Sequence, residues 1–167
     1  MNCLKISTLS LLFLSLYSIT ALAQTNGASH QTVSINSQKK EEWKKKLEPA
    51  TYTVMVDKGT EAPYQNKYWN NHEKGIYVSA ATGEPLFSSD SKFESHTGWP
   101  SFSTVLDKHK VEIVEDDSFG EVRQEVVEKK TGLHLGHLFQ DGPAPTGLRY
   151  CMKSAALRFV RSEKGKK

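Results

Sequence analysis

The chain has 167 residues, of which 37% are hydrophobic and 25% are charged, and its formal net charge is +3. This length allows one domain with its own hydrophobic core. The basic residues are interleaved with acidic ones, apart from a short basic tail at 163–167 that we expect to be solvated. This charge pattern argues against nucleic-acid binding.

The N-terminal segment has the pattern of a secretory signal peptide. Lys5 supplies a positive start, residues 6–21 are apolar and uncharged, and Ala21-Leu22-Ala23 is a small-x-small site before Gln24. We therefore predict a signal peptide at 1–23, cleaved near Ala23-Gln24, and a periplasmic or secreted protein without stable membrane insertion. The alternative is a retained membrane anchor, for which the apolar run is short.

The next segments are predicted to be a linker and a helix. Residues 24–38 are rich in small polar residues and favour a flexible linker. Residues 39–47 (KKEEWKKKL) favour a helix, because Trp43 and Leu47 fall four apart on one face. Pro49 is expected to close this helix.

From residue 51 onward, short alternating segments predict β-strands separated by turns. The predicted strands are 52–56, 75–79, 110–115, 121–128, 132–139 and 155–161. The turn at 116–120 suggests that the strands on either side of it pair in an antiparallel manner. The expected fold is a mainly β, antiparallel domain with one or two small helices.

The cysteines indicate a reactive thiol. Cys3 lies in the predicted signal peptide, so the mature protein would keep Cys151 alone. A single thiol in an oxidising compartment is either a buried, inert residue or a group kept free for chemistry. On a strand, Arg149 and Lys153 would share a face with Cys151 and favour its thiolate, the nucleophilic form. The alternative is that Arg149 is a surface residue on an edge strand.

Two histidines stand close to this thiol in the sequence. His134 and His137 would face opposite sides of a regular strand, but Gly136 between them suggests a bend or bulge that brings both to one site. A histidine suits proton donation to a leaving oxygen. Both could instead be ordinary hydrogen-bonded residues, or could ligate zinc together with Cys151 and Asp141.

Trp99 lies in a Gly-Trp-Pro turn at residues 98–100. Most such tryptophans anchor a core. The alternative is the wall of an apolar pocket that receives a methyl or thioether group, because sulfur and methyl groups pack well on aromatic faces.

At residues 40 to 161 the sequence resembles the methionine sulfoxide reductases of the B type, which reduce methionine-R-sulfoxide. The stretches that carry this resemblance are 59–64 (GTEAPY), 74–78 (KGIYV), 85–89 (PLFSS), 92–93 (KF), 97–102 (TGWPSF), 134–137 (HLGH), 141–143 (DGP) and 149–151 (RYC). The resemblance implies a reductase domain at 39–162, with a small fold of two antiparallel sheets and a short N-terminal helix.

The resemblance also implies roles for individual residues. Cys151 matches the cysteine whose thiolate attacks the sulfoxide sulfur, leaving methionine and a sulfenic acid. The residues matching the polar side of the site are His134, His137 and Asp141, with His137 expected to donate the proton. Arg149 matches an activating arginine, and Trp99 matches the aromatic that holds the substrate methyl group. Phe139 and Lys153 complete the expected substrate-binding set.

Three departures from the family pattern change the expected chemistry. Many relatives bind a structural zinc through two Cys-x-x-Cys pairs, whereas this chain has Ser79, Thr82, Glu128 and Thr131 at those positions. We therefore expect no zinc. Thr97 stands where many relatives have a resolving cysteine, so an external thiol such as thioredoxin or glutathione must reduce the enzyme. Lys153 replaces the usual asparagine, and its ammonium donates hydrogen bonds but cannot accept them.

The resulting hypothesis is a monomeric enzyme that acts on oxidised proteins or peptides. A second hypothesis is a catalytically impaired β-fold module that binds oxidised methionine, with Lys153 as the disabling change. A third, a zinc hydrolase built on His134 and His137, lacks a convincing set of further ligands.

Overall fold

The computed structural model describes residues 37–118 and 120–162. The predicted signal peptide, most of the predicted linker and the basic tail lie outside these residues. No helix in the described part of the chain is long and apolar enough to cross a membrane. The helices and strands are α1 (Ser37–Lys46), α2 (Pro49–Met55), β1 (Gly75–Ser79), β2 (Pro85–Ser88), β3 (Lys92–Phe93), β4 (Ser101–Phe102), β5 (Val111–Asp116), β6 (Arg123–Glu128), β7 (His134–Phe139), β8 (Arg149–Met152) and β9 (Leu157–Arg161).

The strands form two antiparallel sheets. One sheet has the order β2-β1-β9, and the other has the order β3-β4-β8-β7-β6-β5. This architecture confirms the expected mainly β fold of two antiparallel sheets with a short N-terminal helix. The predicted hairpin is also confirmed, because β5 and β6 pair from Val111 opposite Glu128 to Asp116 opposite Arg123.

An aromatic core fills the space between the two sheets. Tyr77 and Phe87 come from the three-stranded sheet, Phe102 comes from the six-stranded sheet, and all three are fully buried. The rings of Phe87 and Phe102 stack with centroids 4.5 Å apart, and Tyr77 meets Phe102 edge-on at 5.0 Å. Each such ring removes a large apolar area from water, so this cluster contributes strongly to the stability of the domain.

The predicted strand at 52–56 is wrong, because these residues belong to helix α2 and its C-cap. Pro49 starts this helix instead of merely ending the previous one, since a proline at the first helical position needs no N–H partner. Burial of Val54 and Met55 against the core outweighs the weak helix propensity of the β-branched residues. Helix α1 begins at Ser37, two residues earlier than predicted.

Candidate active site

A cleft of about 580 Å³ opens over the six-stranded sheet. Its walls come from β5 to β8 and from the chain segments at 58–60 and 97–99. The cleft brings together the sequence-predicted site residues Cys151, His134, His137, Arg149, Trp99, Phe139 and Lys153. Asp141 is the exception, since it does not line the cleft.

Cys151 lies at the centre of the sheet, on strand β8. Its neighbours across the sheet are Ser101 on β4 and His137 on β7. The thiol is free and the residue is only 8% exposed. Among the described residues, the Thr97 hydroxyl contacts this sulfur, with its oxygen 4.0 Å away. Cys151 and Arg149, two residues apart on one strand, both face the cleft with Lys153, as the alternation of a strand predicts.

A bulge in β7 places both histidines on the cleft side. Val126 pairs with Gly136 and Val127 pairs with His134, so one extra residue lies between them on β7. A Cβ at Gly136 would lie 2.2 Å from the Cys151 carbonyl oxygen, so only glycine allows this close approach of β7 to β8. The rings of His134 and His137 are 5.3 Å apart. This register confirms the predicted bulge.

Asp116, which the sequence analysis missed, orients His137. The His137 Nε2 atom lies 2.8 Å from Asp116 Oδ2, and this carboxylate also accepts hydrogen bonds from Arg123 and from the Ser118 hydroxyl, both at 2.6 Å. Burial acts to raise the pKa of Asp116, but these hydrogen bonds outweigh it and hold the pKa far below its usual value. Because an ionised carboxylate only accepts hydrogen bonds, His137 Nε2 carries a proton.

The pKa of His137 itself is lowered, chiefly because burial disfavours the imidazolium ion. The hydrogen bond to Asp116 acts in the opposite direction and raises this pKa, and the electrostatic effect of His134 and Arg123 lowers it. Asp116 therefore keeps the pKa of His137 closer to the ordinary value for histidine than burial alone would allow.

Glu125 plays the same part for His134 and was also missed. His134 Nδ1 lies 2.7 Å from the Glu125 carboxylate, which also accepts a hydrogen bond from Lys58 Nζ at 2.8 Å. Glu125 is 1% exposed and His134 is 3% exposed. Burial acts to raise the pKa of Glu125, but the hydrogen bonds from His134 and Lys58 lower it overall. The sequence held one signal for this carboxylate. Arg123 and Glu125 lie two residues apart in a predicted strand, so both side chains are expected on the same face of β6.

Asp141 lies behind Arg149 and not among the groups that face the cleft. Its two oxygens accept hydrogen bonds from Arg149 Nε at 2.7 Å and Nη2 at 2.8 Å, and its side chain is 60% exposed. This bidentate pair raises the pKa of Arg149, with a smaller contribution from Cys151. The guanidinium also lies over the Phe139 ring, 4.2 Å from its centroid. The structure thus places Asp141 as a partner of Arg149, outside the position expected for it.

Trp99 and Lys153 form the opposite wall. The indole N–H of Trp99 donates to the Glu61 carbonyl oxygen at 3.2 Å, which fixes the ring plane. Lys153 Nζ lies 4.5 Å from the centre of this ring and donates to the Thr60 hydroxyl at 2.8 Å. Burial lowers the pKa of Lys153, and the nearby Cys151 and Glu61 partly counteract this effect.

The four positions at which relatives carry zinc ligands form a hydroxyl–carboxylate clip in this chain, made of Ser79, Thr82, Glu128 and Thr131. Glu128 is 1% exposed, and its carboxylate accepts hydrogen bonds from the hydroxyls of Thr82 and Thr131. Ser79 Oγ accepts from the backbone N–H of Thr82 at 3.3 Å. One carboxylate and three hydroxyls do not fit zinc, which prefers thiolate and imidazole ligands. Within residues 37–118 and 120–162, no group of three His, Cys, Asp or Glu side chains is arranged to hold a metal.

Comparison with known proteins agrees with the resemblance seen in the sequence. The SelR domain family matches residues 47–161. The peptide methionine sulfoxide reductase MsrB of Methanosarcina barkeri is 54% identical over 126 residues, which are 75% of this chain and 89% of that protein. The MsrB proteins of Methanosarcina mazei and Staphylococcus saprophyticus are 52% and 53% identical, over 74% and 72% of this chain and 88% and 86% of their own lengths.

Proposed function

Because this chain belongs to the SelR domain family of methionine sulfoxide reductases, we propose that it reduces methionine-R-sulfoxide to methionine with Cys151 as the nucleophile. The observation that carries the proposal is the arrangement around the thiol. A buried, free Cys151 shares one cleft with an arginine, two carboxylate-bound histidines and an aromatic wall. These are the groups that thiol attack on a sulfoxide requires: a stabilised thiolate, a proton source and a surface for the methyl group.

In the proposed first step, the Cys151 thiolate attacks the sulfoxide sulfur while the sulfoxide oxygen takes up a proton. The oxygen is transferred to the Cys151 sulfur, which becomes a sulfenic acid, and the substrate leaves as methionine. The Cys151 sulfur is oxidised by two electrons and the sulfoxide sulfur is reduced by two. Arg149 supports the thiolate, because its charge faces the same cleft and Asp141 holds it in place.

His137 is the proposed proton donor, and His134 is its partner. Asp116 accepts from His137 Nε2, so the other ring nitrogen is the one available to the substrate oxygen. Trp99 receives the S-methyl group, and Phe139 closes the cleft beside Arg149. Asp116, Glu125 and Asp141 act as positioning residues, since each holds another side chain of the site.

An external thiol returns Cys151 to its reduced state. One thiol condenses with the sulfenic acid and releases water, and a second thiol reduces the resulting mixed disulfide. A thioredoxin-like protein or glutathione supplies these thiols, because Thr97 replaces the resolving cysteine of many relatives. The proposed substrates are oxidised proteins and peptides, and free methionine-R-sulfoxide. Export by the N-terminal segment, to the periplasm or outside the cell, and a monomeric state complete the proposal.

The test uses the purified protein, dithiothreitol and a racemic N-blocked methionine sulfoxide whose diastereomers are separated by chromatography. We expect loss of the R form alone. Cys151→Ser should abolish this loss while the far-UV circular dichroism spectrum stays unchanged. Thr104→Ser serves as the control that keeps activity, because Thr104 is exposed and does not line the cleft. Turnover by Cys151→Ser would refute the role of Cys151.

A second candidate function is a module that binds oxidised methionine without reducing it. The observation that favours it is Lys153 in place of the usual asparagine. It predicts that the protein binds the sulfoxide, for example in calorimetry, and consumes neither diastereomer. Lys153→Asn would then be the variant expected to restore turnover.

A further inference from the structure

Lys153 differs from the other cations of the cleft in its pairing. Lys58, Arg123 and Arg149 each have a carboxylate no farther than 2.8 Å away. Lys153 has no carboxylate within ion-pair distance in the described ranges 37–118 and 120–162, although it lines the same cleft. No salt bridge within these ranges therefore neutralises the charge of Lys153.

Two acidic groups act on Lys153 electrostatically, first Cys151 and then Glu61. Glu61 is the carboxylate of the two, and its oxygens are already engaged in hydrogen bonds. The Glu61 carboxylate accepts hydrogen bonds from the backbone N–H groups of Ser154 and, at 3.1 Å, Ala155. Glu61 attracts Lys153 electrostatically without contacting it, and its two oxygens serve to hold the chain at Ser154. An acidic group entering the cleft would meet no competing carboxylate at Lys153 Nζ.

The position of the ammonium is fixed by its neighbours. The backbone N–H of Lys153 donates to the Leu135 carbonyl oxygen at 2.9 Å, which ties its main chain to the bulge of β7. The Thr60 hydroxyl takes one of the three N–H bonds of the ammonium, and the Trp99 ring lies beneath it. Two donors and a net positive charge remain directed at the space beside the proposed methyl-binding surface.

From this geometry we propose that Lys153 selects substrates that carry a carboxylate next to the methionine sulfoxide. The inference rests on the proposed function and adds a substrate preference to it. The carboxylate has two possible sources, the side chain of an adjacent Asp or Glu residue or the α-carboxylate of a free or C-terminal methionine sulfoxide. One charge pair at a half-buried position is expected to favour the anionic substrate about three- to tenfold in kcat/KM.

Three matched pairs of R-sulfoxide substrates distinguish the sources. The first pair is the blocked tripeptide acetyl-Ala-Met(O)-Asp-amide and its Asn counterpart, and the second pair places Asp or Asn before the methionine sulfoxide instead. The third pair is N-acetyl-methionine sulfoxide and its methylamide. The measured quantity is the ratio of kcat/KM for the anionic substrate to that for its neutral partner, with dithiothreitol as the reductant.

The ratio in the wild-type protein should exceed one in at least one pair and should fall as salt rises, because ions screen the attraction. Lys153→Gln removes the positive charge and should bring the ratio to about one. Lys153→Arg retains the positive charge and should keep the ratio above one. Lys67→Gln is the matched control, because Lys67 also lies over an aromatic ring, that of Tyr68 at 5.3 Å, but does not line the cleft.

Equal ratios in the wild-type and Lys153→Gln proteins would overturn the inference. The neutral substrates separate this failure from failure of the proposed function. If the neutral methylamide is reduced but the ratio does not depend on Lys153, only the substrate preference is wrong. If no sulfoxide is reduced by the wild-type protein, the proposed function itself is wrong.

Discussion

A cysteine introduced at position 97 should give this protein an internal disulfide during turnover. The Thr97 hydroxyl oxygen lies 4.0 Å from the Cys151 sulfur. A sulfur atom at the same position must move about 2 Å closer to reach the disulfide bond length of about 2.05 Å, and we expect rotation of the two side chains to supply this movement. In Thr97→Cys, the Cys151 sulfenic acid is expected to condense with the introduced thiol and release water.

The disulfide should also stabilise the oxidised protein. It would close a loop of about 55 residues, for which the chain-entropy relation gives roughly 4 kcal/mol at 25 °C. Strain in the native state would reduce this gain, and the bond formed across the substrate cleft would block further turnover until it is reduced. The oxidised variant should therefore be more stable to urea than its reduced form and inactive without reductant.

The assay is a single turnover with one equivalent of methionine-R-sulfoxide and no reductant. Peptide mapping by mass spectrometry should find the segments containing positions 97 and 151 cross-linked in Thr97→Cys. The wild-type protein should instead leave a sulfenic acid that dimedone traps. Thr104→Cys is the matched control, because Thr104 is exposed and does not line the cleft.

A dimedone adduct of undiminished yield in Thr97→Cys, with no cross-link, would refute the inferred proximity of these two side chains in the reacting enzyme. A cross-link of equal yield in Thr104→Cys would show that the disulfide forms through general mobility and not through the geometry of the cleft.

Two further substitutions test groups that hold the site together, and a third tests the hydroxyl–carboxylate clip. Asp116→Asn removes the negative charge beside His137 and leaves only a weaker amide acceptor for its Nε2–H, so the pKa of His137 falls further. Because a proton donor acts in its protonated form, the basic limb of the kcat/KM profile should move to lower pH, and an unmoved limb would argue against His137 as the donor. Asp141→Asn should release Arg149 and lower kcat/KM roughly tenfold. The melting temperature should stay almost unchanged, because Asp141 is exposed. Unchanged kinetics would show that Asp141 does not position Arg149. Glu128→Ala should lower the free energy of unfolding by about 2–4 kcal/mol in urea, because it removes a buried carboxylate together with the hydrogen bonds it accepts from the hydroxyls of Thr82 and Thr131. A loss below about 0.5 kcal/mol would contradict the clip's contribution.

The sequence was informative where strands are long and alternate regularly. The strands at 111–116 and 123–128 were found from the alternation of apolar and polar residues around them, and they pair as the short turn between them predicts. The burial in β6 does not follow that alternation, because its last four residues are all buried. The segment at 52–56 was misleading, because its β-branched residues favour a strand while its burial against the core is compatible with a helix. The two-residue strands β3 and β4 were missed, since two residues show no periodicity.

The same limit explains which site residues were found. Cys151 and the histidine pair stand out as rare residue types near a glycine, so the sequence singles them out. Asp116 and Glu125 look like ordinary charges on exposed strand faces, and only the packing of β6 between β5 and β7 shows that they are buried. Their importance comes from the partners across the sheet, which a single sequence does not show.

The hydroxyl–carboxylate clip has a consequence for how this protein withstands oxidants. The clip joins the turn between β1 and β2 to the turn between β6 and β7 through oxygen atoms alone. A peroxide that converts the Cys151 thiol to a sulfenic acid finds no sulfur in the clip, so the same oxidant cannot loosen this joint. Oxidation of the reactive thiol therefore leaves the clip intact, and a reductant can reverse it without the clip having to form again.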